Sequence, residues 1–504
     1  MSNSAQLESL LVKVTKIAVD FVKKGEEGAP VIDFRPGPQL EHELSLKFPT
    51  EPVNHTELLA TIQNVFDNSV NPWGQCFLDK LYTCTNPVGV ISETVLGVLN
   101  ANSHVYKASP ALTIIELETA KRLASLFGLP EGSGGLTMPG GSASNRLALV
   151  TAINNLIPES RIGGIASLPK RPVVFTSAHS HYSIDQAALT SGLGLAGLRK
   201  IKTDTSGRMI VEELERGLKE AVDAGELPIF INATAGTTVT GAFDPIPEIA
   251  VLAKKYGCWL HVDGSWGGAL AFSETHRAKL AGVEHADSVT FNPHKLLAVP
   301  LICSFLLLRN RTSLKANNLG ADYLFHGNKY DLGDGTTGCG RRPDAFKFFL
   351  AWQASGSNGF GRSIDQALAQ SARLVELIKS EPNLELVLDH DSTTPQVCFR
   401  YVRNAATRFT NVLATPPGSG RGSPTEEGAK FDAEVYSPQE MVRKIQGRIL
   451  QRGRVMVDFC PINSNDAHGE EIGDVFRVPM HPNVPFSSFE HIVSEVVAVG
   501  AELY

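Results

Sequence analysis

The chain has 504 residues, of which 42% are hydrophobic and 20% charged, and its formal net charge is -7 at pH 7. This length exceeds what one hydrophobic core usually serves, so two or three packed domains are expected. The 46 basic and 53 acidic residues include no Lys/Arg block that would neutralise a phosphate backbone, and no apolar run reaches the length of a membrane span. We therefore expect neither a nucleic acid nor a membrane as partner.

At the N-terminus, Leu7, Leu10, Leu11, Val14, Ile17 and Phe21 recur at helical spacing. A single amphipathic helix must bury this stripe on its own chain or on a second subunit, and the sequence leaves both open. The seven cysteines are scattered and odd in number, without a metal-binding spacing. They are typical of reduced thiols in the cytoplasm, where we expect the protein, and they provide no metal site.

Short β-branched runs alternate with helical patterns over residues 110–310, which predicts an α/β fold with a mostly parallel sheet. The predicted strands are PVVFTS (172–177), PIFINAT (228–234), CWLHVD (258–263), DSVTF (287–291) and LICSFLLL (301–308). Between the second and third, DPIPEIAVLAKKYG predicts a helix that begins near proline and ends at glycine. In such sheets, the polar residues that follow the strands line the ligand crevice.

Beyond residue 365, a helix pattern over 366–379 leads to QVCFRYV, a helix near 438–452 and DVFRVPM. This order predicts a small α+β C-terminal domain. We expect a helical N-terminal segment over 1–109, a large domain over 110–365 and the small domain over 366–504. The polar insertion TPPGSGRGSPTEEG (415–428) suggests no role.

The stretch SVTFNPHKLLAVP (288–300) encloses Lys295 between apolar residues. Burial favours the neutral amine, which is nucleophilic and forms imines. A lysine in a loop more often extends its charged end into water, so its position alone does not decide its role.

Three further features point to one ligand. PGGSASN (139–145) precedes a helical pattern, where glycine and serine either cap the helix or bind phosphate. Asp263 ends an apolar strand and needs a cationic partner, and His181 offers a ring at another strand end. Pyridoxal 5'-phosphate (PLP) would use all of them, because it needs an amine, an acid for its ring nitrogen, a stacking partner and a phosphate turn.

At these residues the chain resembles the PLP-dependent amino-acid decarboxylases of the glutamate decarboxylase and cysteine sulfinate decarboxylase group. The similar stretches run from about residue 60 to the C-terminus and include GGSASN, SHYSI, NATAGTTVTGAFDPI, WLHVDGSWGG, ADSVTFNPHKLLAVPLICS, YLFHGNKYD, CGRRPDAFKFFLAW and VFRV. The resemblance implies the PLP-dependent transferase fold, which is aspartate aminotransferase-like fold type I. It also implies decarboxylation of an L-amino acid to the amine and CO2.

The resemblance also implies how the cofactor is held. Lys295 would bond to its aldehyde, Asp263 would pair with its ring nitrogen, and His181 would stack on its ring. The other implied cofactor contacts are His294 beside the lysine, Thr238 near the ring, and Ala143, Ser144, Ser288 and Asn292 at the phosphate.

On the substrate side, Arg477 matches the arginine that binds the α-carboxylate, and Tyr323 matches the mobile-loop tyrosine that protonates the α-carbon. At the substrate mouth Asn100 persists, whereas Lys80 and His104 depart from the pattern of glutamate decarboxylases. We expect these bases to favour an acidic substrate such as glutamate, aspartate or cysteine sulfinate. The alternative is that the lysine points to solvent and the substrate is an aromatic or specialised-metabolism amino acid.

Other readings compete with decarboxylation. An aminotransferase or lyase would use the same lysine, acid and phosphate turn. A dehydrogenase would leave Lys295 unexplained and lacks GxGxxG, and a non-catalytic relative would not need these residues. The resemblance further implies a homodimer with active sites built from both subunits.

Overall fold

The computed structural model describes residues 2–503 except 45, 388–393, 403–435, 463–471 and 483. The insertion at 415–428 lies outside the described residues. The described chain forms one seven-stranded and one five-stranded sheet. None of its described helices is long and apolar enough to cross a membrane.

The strands and helices are numbered in chain order. The strands are β1 (Phe77–Leu78), β2 (Gly134–Met138), β3 (Pro172–Ser177), β4 (Leu198–Ile201), β5 (Leu227–Thr234), β6 (Trp259–Gly264), β7 (Ser288–Phe291), β8 (Ser304–Leu308), β9 (Leu384–Leu386), β10 (Gln396–Tyr401), β11 (Met456–Ile462) and β12 (Gly473–Pro479). The α-helices are α1 (Asn3–Glu26), α2 (Gly37–Leu44), α3 (His55–Asp67), α4 (Pro87–Leu99), α5 (Pro110–Leu126), α6 (Gly141–Leu156), α7 (Ser160–Gly163), α8 (Ser183–Thr190), α9 (Val211–Asp223), α10 (Ile246–Tyr256), α11 (Ala345–Ser380), α12 (Pro438–Arg452) and α13 (Phe486–Glu502).

The larger sheet has the strand order β2-β8-β7-β6-β5-β3-β4. Its pairs from β7 to β4 are parallel, while β8 runs antiparallel to both of its neighbours. The predicted, mostly parallel sheet is therefore confirmed. The last predicted strand begins at Ser304 rather than Leu301, and β2 and β4 were not predicted.

Helices cover both faces of this sheet, and each face has its own apolar core. Phe175 and Ile231 belong to the cluster on one face, whereas Val174 and Phe230, their neighbours in the chain, belong to the cluster on the other. Because alternate side chains of a strand point to opposite faces, a strand buried on both must be apolar throughout. This explains the continuous apolar runs from which these strands were predicted.

The smaller sheet has the order β1-β11-β12-β10-β9 and a separate apolar core. Its edge strand β1 comes from the N-terminal segment and pairs in parallel with β11. Helix α11 runs continuously through residue 365, with non-helical backbone only at Gly356 (φ 65°, ψ 165°). The N-terminal segment thus contributes to the smaller sheet, and the expected boundary at 365 falls inside a helix.

Helix α1 leaves much of its apolar stripe exposed. Its C-terminal part contacts α3, where the rings of Phe21 and Phe66 lie 5.0 Å apart. Towards the N-terminus, Leu7 and Leu11 remain 46% and 38% exposed. Packing within the chain therefore covers only part of the stripe.

Candidate active site

The carboxyl ends of β5, β6 and β7 open onto a cavity of about 190 Å³. This is the edge of a parallel sheet where ligands are expected to bind. Six of the predicted cofactor residues line the cavity, namely His181, Thr238, Asp263, Asn292, His294 and Lys295. The sheet thus brings together side chains that are more than a hundred positions apart in sequence.

The N-terminus of α6 forms one wall of the cavity. Its N-cap, Gly140, has φ 101° and provides no side-chain acceptor, so the first N–H groups of the helix are available to a ligand. A Cβ at Gly141 would lie 2.7 Å from Nδ2 of Asn292 and 2.8 Å from Oγ of Ser265. A side chain at this position would have to displace the ends of Asn292 and Ser265, and the turn as it stands suits a phosphate group.

Asp263, near the end of β6, is 4% exposed. Its Oδ1 accepts a hydrogen bond from the Ser265 N–H at 3.0 Å, and its Oδ2 accepts one from Nδ2 of Asn145 at 2.8 Å. Burial opposes ionisation, but the Ser265 bond and the charge of Lys295 outweigh it, so the pKa of Asp263 lies below its usual value. Asp263 is a buried anion suited to a cationic ring nitrogen.

Lys295 also lines the cavity, in the turn that follows β7. Burial lowers the pKa of its amine; the charge of Asp263 opposes this shift and that of Arg477 adds to it. The neutral, nucleophilic form is therefore more populated than for a lysine in water. At the preceding residue, His294, burial lowers the pKa to about 4, so its ring is neutral at pH 7.

His181 presents an uncharged ring to the cavity. Burial lowers its pKa, although the charge of Asp263 opposes the shift. The N–H of Ser183 donates to Nδ1 of His181 at 3.2 Å, so the neutral ring carries its proton on Nε2. A neutral aromatic ring held at this position suits stacking on a planar ligand.

Arg477 lies on β12 and is 4% exposed. Its Nη1 donates to the carbonyl of Thr238, which lines the cavity, at 3.2 Å, and its Nη2 donates to Asp458 Oδ2 at 2.9 Å. The buried Nε has no hydrogen-bond partner among the described residues. The guanidinium is thus fixed next to the cavity while its Nε–H remains unpaired among the described residues.

Lys80 does not present a free amine. Its Nζ lies 2.8 Å from Oδ2 of Asp79 and 3.1 Å from Oδ2 of Asp458, and these bonds raise the pKa of Lys80 although partial burial opposes the rise. The expected pairing of Lys80 with a substrate must therefore compete with two carboxylates of the protein itself.

Several other predicted residues lie outside the cavity lining. Ser288 is fully buried and its Oγ bonds to Trp259 and His261, so this hydroxyl, expected at the phosphate, already has two partners within the protein. The Ser144 hydroxyl is likewise buried, donating to the Phe305 carbonyl at 3.2 Å. Ala143 is in the first turn of α6, where its backbone rather than its side chain could meet a phosphate.

The predicted substrate residues Asn100, His104 and Tyr323 also lie outside this lining. Tyr323 is 87% exposed, and Asn100 is exposed at the end of α4. The carbonyl of His104 accepts a hydrogen bond from the N–H of Gly333 at 2.9 Å. The segment that carries Asn100 and His104 therefore contacts the loop that follows Tyr323. Within the described chain, these three residues are therefore not part of the cavity that contains Lys295.

Ser142, from the predicted phosphate turn, lines the cavity as well, whereas the sequence assigned no cavity role to Asn145, Thr234, Gly236, Ser265 or Trp266, which also line it. The signal for Asn145 was present, because it follows Gly141 by four residues on the same face of α6. Glycine and tryptophan after a strand carry no comparable signal.

The residues present fit PLP. The cavity combines a helix N-terminus for a phosphate, an anion for a ring nitrogen, a neutral ring and a lysine of lowered pKa. Trp266 and Asn292 both line the cavity, and each has a buried polar atom, Nε1 and Oδ1 respectively, without a hydrogen-bond partner among the described residues. Unpaired buried polar atoms beside a cavity indicate that a polar ligand belongs there.

Fold and cavity together define an enzyme of the PLP-dependent fold type I. The pyridoxal-dependent decarboxylase conserved domain matches residues 36–402. An L-aspartate decarboxylase of Metarhizium robertsii is 41% identical over 452 residues, covering 88% of this chain and 83% of that protein. The crystal structure of mouse CSAD superposes with a TM-score of 0.88 at 31% identity and 99% coverage of both chains. Oryza sativa TDC, solved with PLP and tryptamine, shares the fold with a TM-score of 0.84 at 22% identity, covering 99% of this chain and 98% of that one.

The chain belongs to the PLP-dependent decarboxylase family. It is an amino-acid decarboxylase with PLP as its cofactor. The resemblance, the fold type and the cofactor predicted from the sequence are confirmed.

Proposed function

We propose that this enzyme decarboxylates an acidic L-amino acid, and that aspartate is the first substrate to test. The observation that carries the proposal is the buried guanidinium of Arg477, which donates to the carbonyl of the cavity residue Thr238 and shares the Asp458 carboxylate with Lys80. The 41% identity to an L-aspartate decarboxylase supports the same substrate class.

When bound, PLP supplies an aldehyde that bonds covalently to amines and a protonated ring that accepts electrons as CO2 leaves. The amine of Lys295 would hold the cofactor until the substrate amine takes its place. Asp263, ionised in the fold, would keep the proton on the ring nitrogen. His181 would lie against the ring, and the first turn of α6 would hold the phosphate.

Arg477 receives the α-carboxylate of the substrate in this proposal. Its guanidinium is fixed by Thr238 and Asp458, so little conformational entropy is lost on binding. Its unpaired Nε is a charged donor, and hydrogen bonds from a charged donor to a carboxylate are stronger than those between neutral groups. A second carboxylate of the substrate would have to replace Asp79 or Asp458 as the partner of Lys80.

Tyr323 delivers the proton to the α-carbon, and the active enzyme is a homodimer. In a single chain Tyr323 is 87% exposed, whereas a proton donor of this kind acts in a site from which water is excluded. One chain alone therefore does not place it for this role. Exposed apolar side chains on α1 and α4, including Leu7, Val12, Ile91 and Val98, support a second copy that covers them. In such a dimer Tyr323, His104 and Asn100 serve the cavity of the partner.

The substrate is tested by measuring CO2 release from aspartate, glutamate, cysteine sulfinate and aromatic amino acids with the purified holoenzyme. The proposal predicts activity on at least one acidic substrate and none on aromatics. Activity confined to aromatic amino acids would refute it.

The dimer is tested by sedimentation and by mixing inactive variants. Lys295→Ala and Tyr323→Phe should each be impaired alone, while their mixed dimer should regain part of the activity, because one of its two sites is then intact. A stable monomer with full activity would contradict the shared site. So would a mixture of the two variants that exchanges subunits but recovers no activity.

A further inference from the structure

Four buried side chains form a hydrogen-bonded series that ends at Asp263. Trp259 Nε1 donates to Ser288 Oγ at 2.8 Å, and this Oγ lies 2.8 Å from His261 Nδ1. His261 Nε2 lies 3.0 Å from Oδ1 of Asn145, whose Nδ2 donates to Asp263 at 2.8 Å. The series joins β6, β7 and α6 and reaches the cavity at Asn145 and Asp263, which both line it.

The two ends of the series fix the direction of each bond. The ionised Asp263 can only accept, so Asn145 turns its NH2 group to the carboxylate and its oxygen to His261. The neutral His261 must then carry its proton on Nε2, which leaves Nδ1 as an acceptor. The indole N–H of Trp259 can only donate, so Ser288 accepts from it and donates to His261. All the donors thus point towards Asp263.

The series is shielded from water. Asn145 is 1% exposed, and His261 and Ser288 are 0% exposed. The second N–H of Asn145 donates to Ser183 Oγ at 2.9 Å, so both N–H groups of this amide are occupied. Burial lowers the pKa of His261 to about 4, so the ring remains neutral in the physiological range. Aligned bonds in a low-dielectric interior polarise one another in the same direction.

We propose that Asn145 and His261 are positioning residues that hold the Asp263 carboxylate ionised and aimed at the ring nitrogen of PLP. Asn145 does so by direct donation, and His261 does so by fixing the orientation of the Asn145 amide. The proposal rests on the assignment of Asp263 to the ring nitrogen, which the experiment below tests separately.

The experiment compares the binding of PLP with that of its 1-deaza analogue, which has carbon in place of the ring nitrogen. Dissociation constants are measured by titrating each compound into the apo form of the full-length protein. Asp263→Ala tests the underlying assignment, because it should weaken PLP but leave the 1-deaza analogue unaffected. Asn145→Leu and His261→Leu, which remove hydrogen bonds at similar volume, test the positioning role.

For Asn145→Leu we expect the dissociation constant of PLP to rise about tenfold or more, since one charge-assisted bond is lost. The 1-deaza analogue should bind with unchanged affinity. His261→Leu should act in the same direction but less strongly. His261→Gln keeps an N–H near Nε2 and should restore most of the PLP affinity.

Thr151→Val is a matched control on the same helix, because it removes one buried bond, from Asn317 Nδ2 at 2.9 Å, away from the cavity. It should lower the melting temperature without changing either dissociation constant. If Asn145→Leu weakens both compounds equally, or neither, the positioning role is wrong. If Asp263→Ala itself fails to distinguish the two compounds, the assignment of Asp263 is wrong instead.

Discussion

Asp458 on β11 lies directly opposite Arg477 on β12, and its Oδ2 accepts a hydrogen bond from Arg477 Nη2 at 2.9 Å. The same oxygen lies 3.1 Å from Nζ of Lys80. One carboxylate of the protein therefore restrains both cations, of which Arg477 also donates to the carbonyl of the cavity residue Thr238. It orients them, and it also offsets part of the positive potential that an acidic substrate would meet.

Substitution of Asp458 by asparagine should strengthen binding of an acidic substrate. The amide keeps an acceptor oxygen for Arg477 while the negative charge is lost, so KM should fall about two- to fivefold, the scale of a partly exposed ion pair. Steady-state kinetics with the acidic substrate at low and high salt measures this. A KM that rises at low salt would show that orientation matters more than charge at this position.

Asp263→Asn should give a folded protein with a low kcat. A neutral amide cannot hold the proton on the ring nitrogen, so kcat should fall about 10²- to 10³-fold, as when a preorganised electrostatic group is removed. KM should change much less, because Asp263 does not contact the substrate in this account. Wild-type kcat in Asp263→Asn would contradict the role of the carboxylate.

Tyr323→Phe should slow release of the amine and divert part of the substrate to transamination. Loss of a positioned general acid lowers such a rate by about 10²- to 10⁴-fold. The measurement is the ratio of amine to carbonyl product, together with the turnover rate. An unchanged ratio at normal turnover would mean that another group protonates the α-carbon.

His481 should make the protein less stable in weak acid. Its ring is fully buried and donates from Nε2 to the Lys80 carbonyl at 3.0 Å, and burial lowers its pKa to about 4. The unfolded chain takes up a proton at this residue near pH 6.5, whereas the folded chain does so only near pH 4. The contribution of His481 is therefore complete above about pH 6.5 and is lost as the pH falls to about 4.

His481→Gln isolates this effect. Its free energy of unfolding should depend less steeply on pH than that of the wild type, by about one proton between pH 4 and 6.5. Denaturant titrations at several pH values in this range give the slope. Parallel pH profiles for the two proteins would show that His481 does not remain neutral in the fold.

The sequence predicted the parts of the site that follow apolar strands in the chain. Asp263, Asn292 and Lys295 each come at or just after the end of such a run, so their meeting at one edge follows from parallel pairing alone. His181 was predicted for the same reason. The partners of Ser288 could not be predicted, because it begins its strand, and in a strand buried on both faces the sequence does not tell which group a side chain meets.

Partners distant in the chain were beyond prediction. Lys80 was treated as free for the substrate, but Asp458, 378 residues away, binds its amine. The role of Asn145 depends on where α6 meets β6, which no local pattern specifies. The exposure of Tyr323 likewise depends on how distant parts of the chain pack, rather than on the residues next to it in the sequence.

The attachment of the cofactor to Lys295 is the central claim, and borohydride reduction of the holoenzyme tests it most directly. Peptide mapping by mass spectrometry after reduction should find a phosphopyridoxyl group on Lys295 alone. Apo protein treated in the same way should carry none. A stable label on another lysine, or no label on a protein that retains decarboxylase activity, would contradict the account.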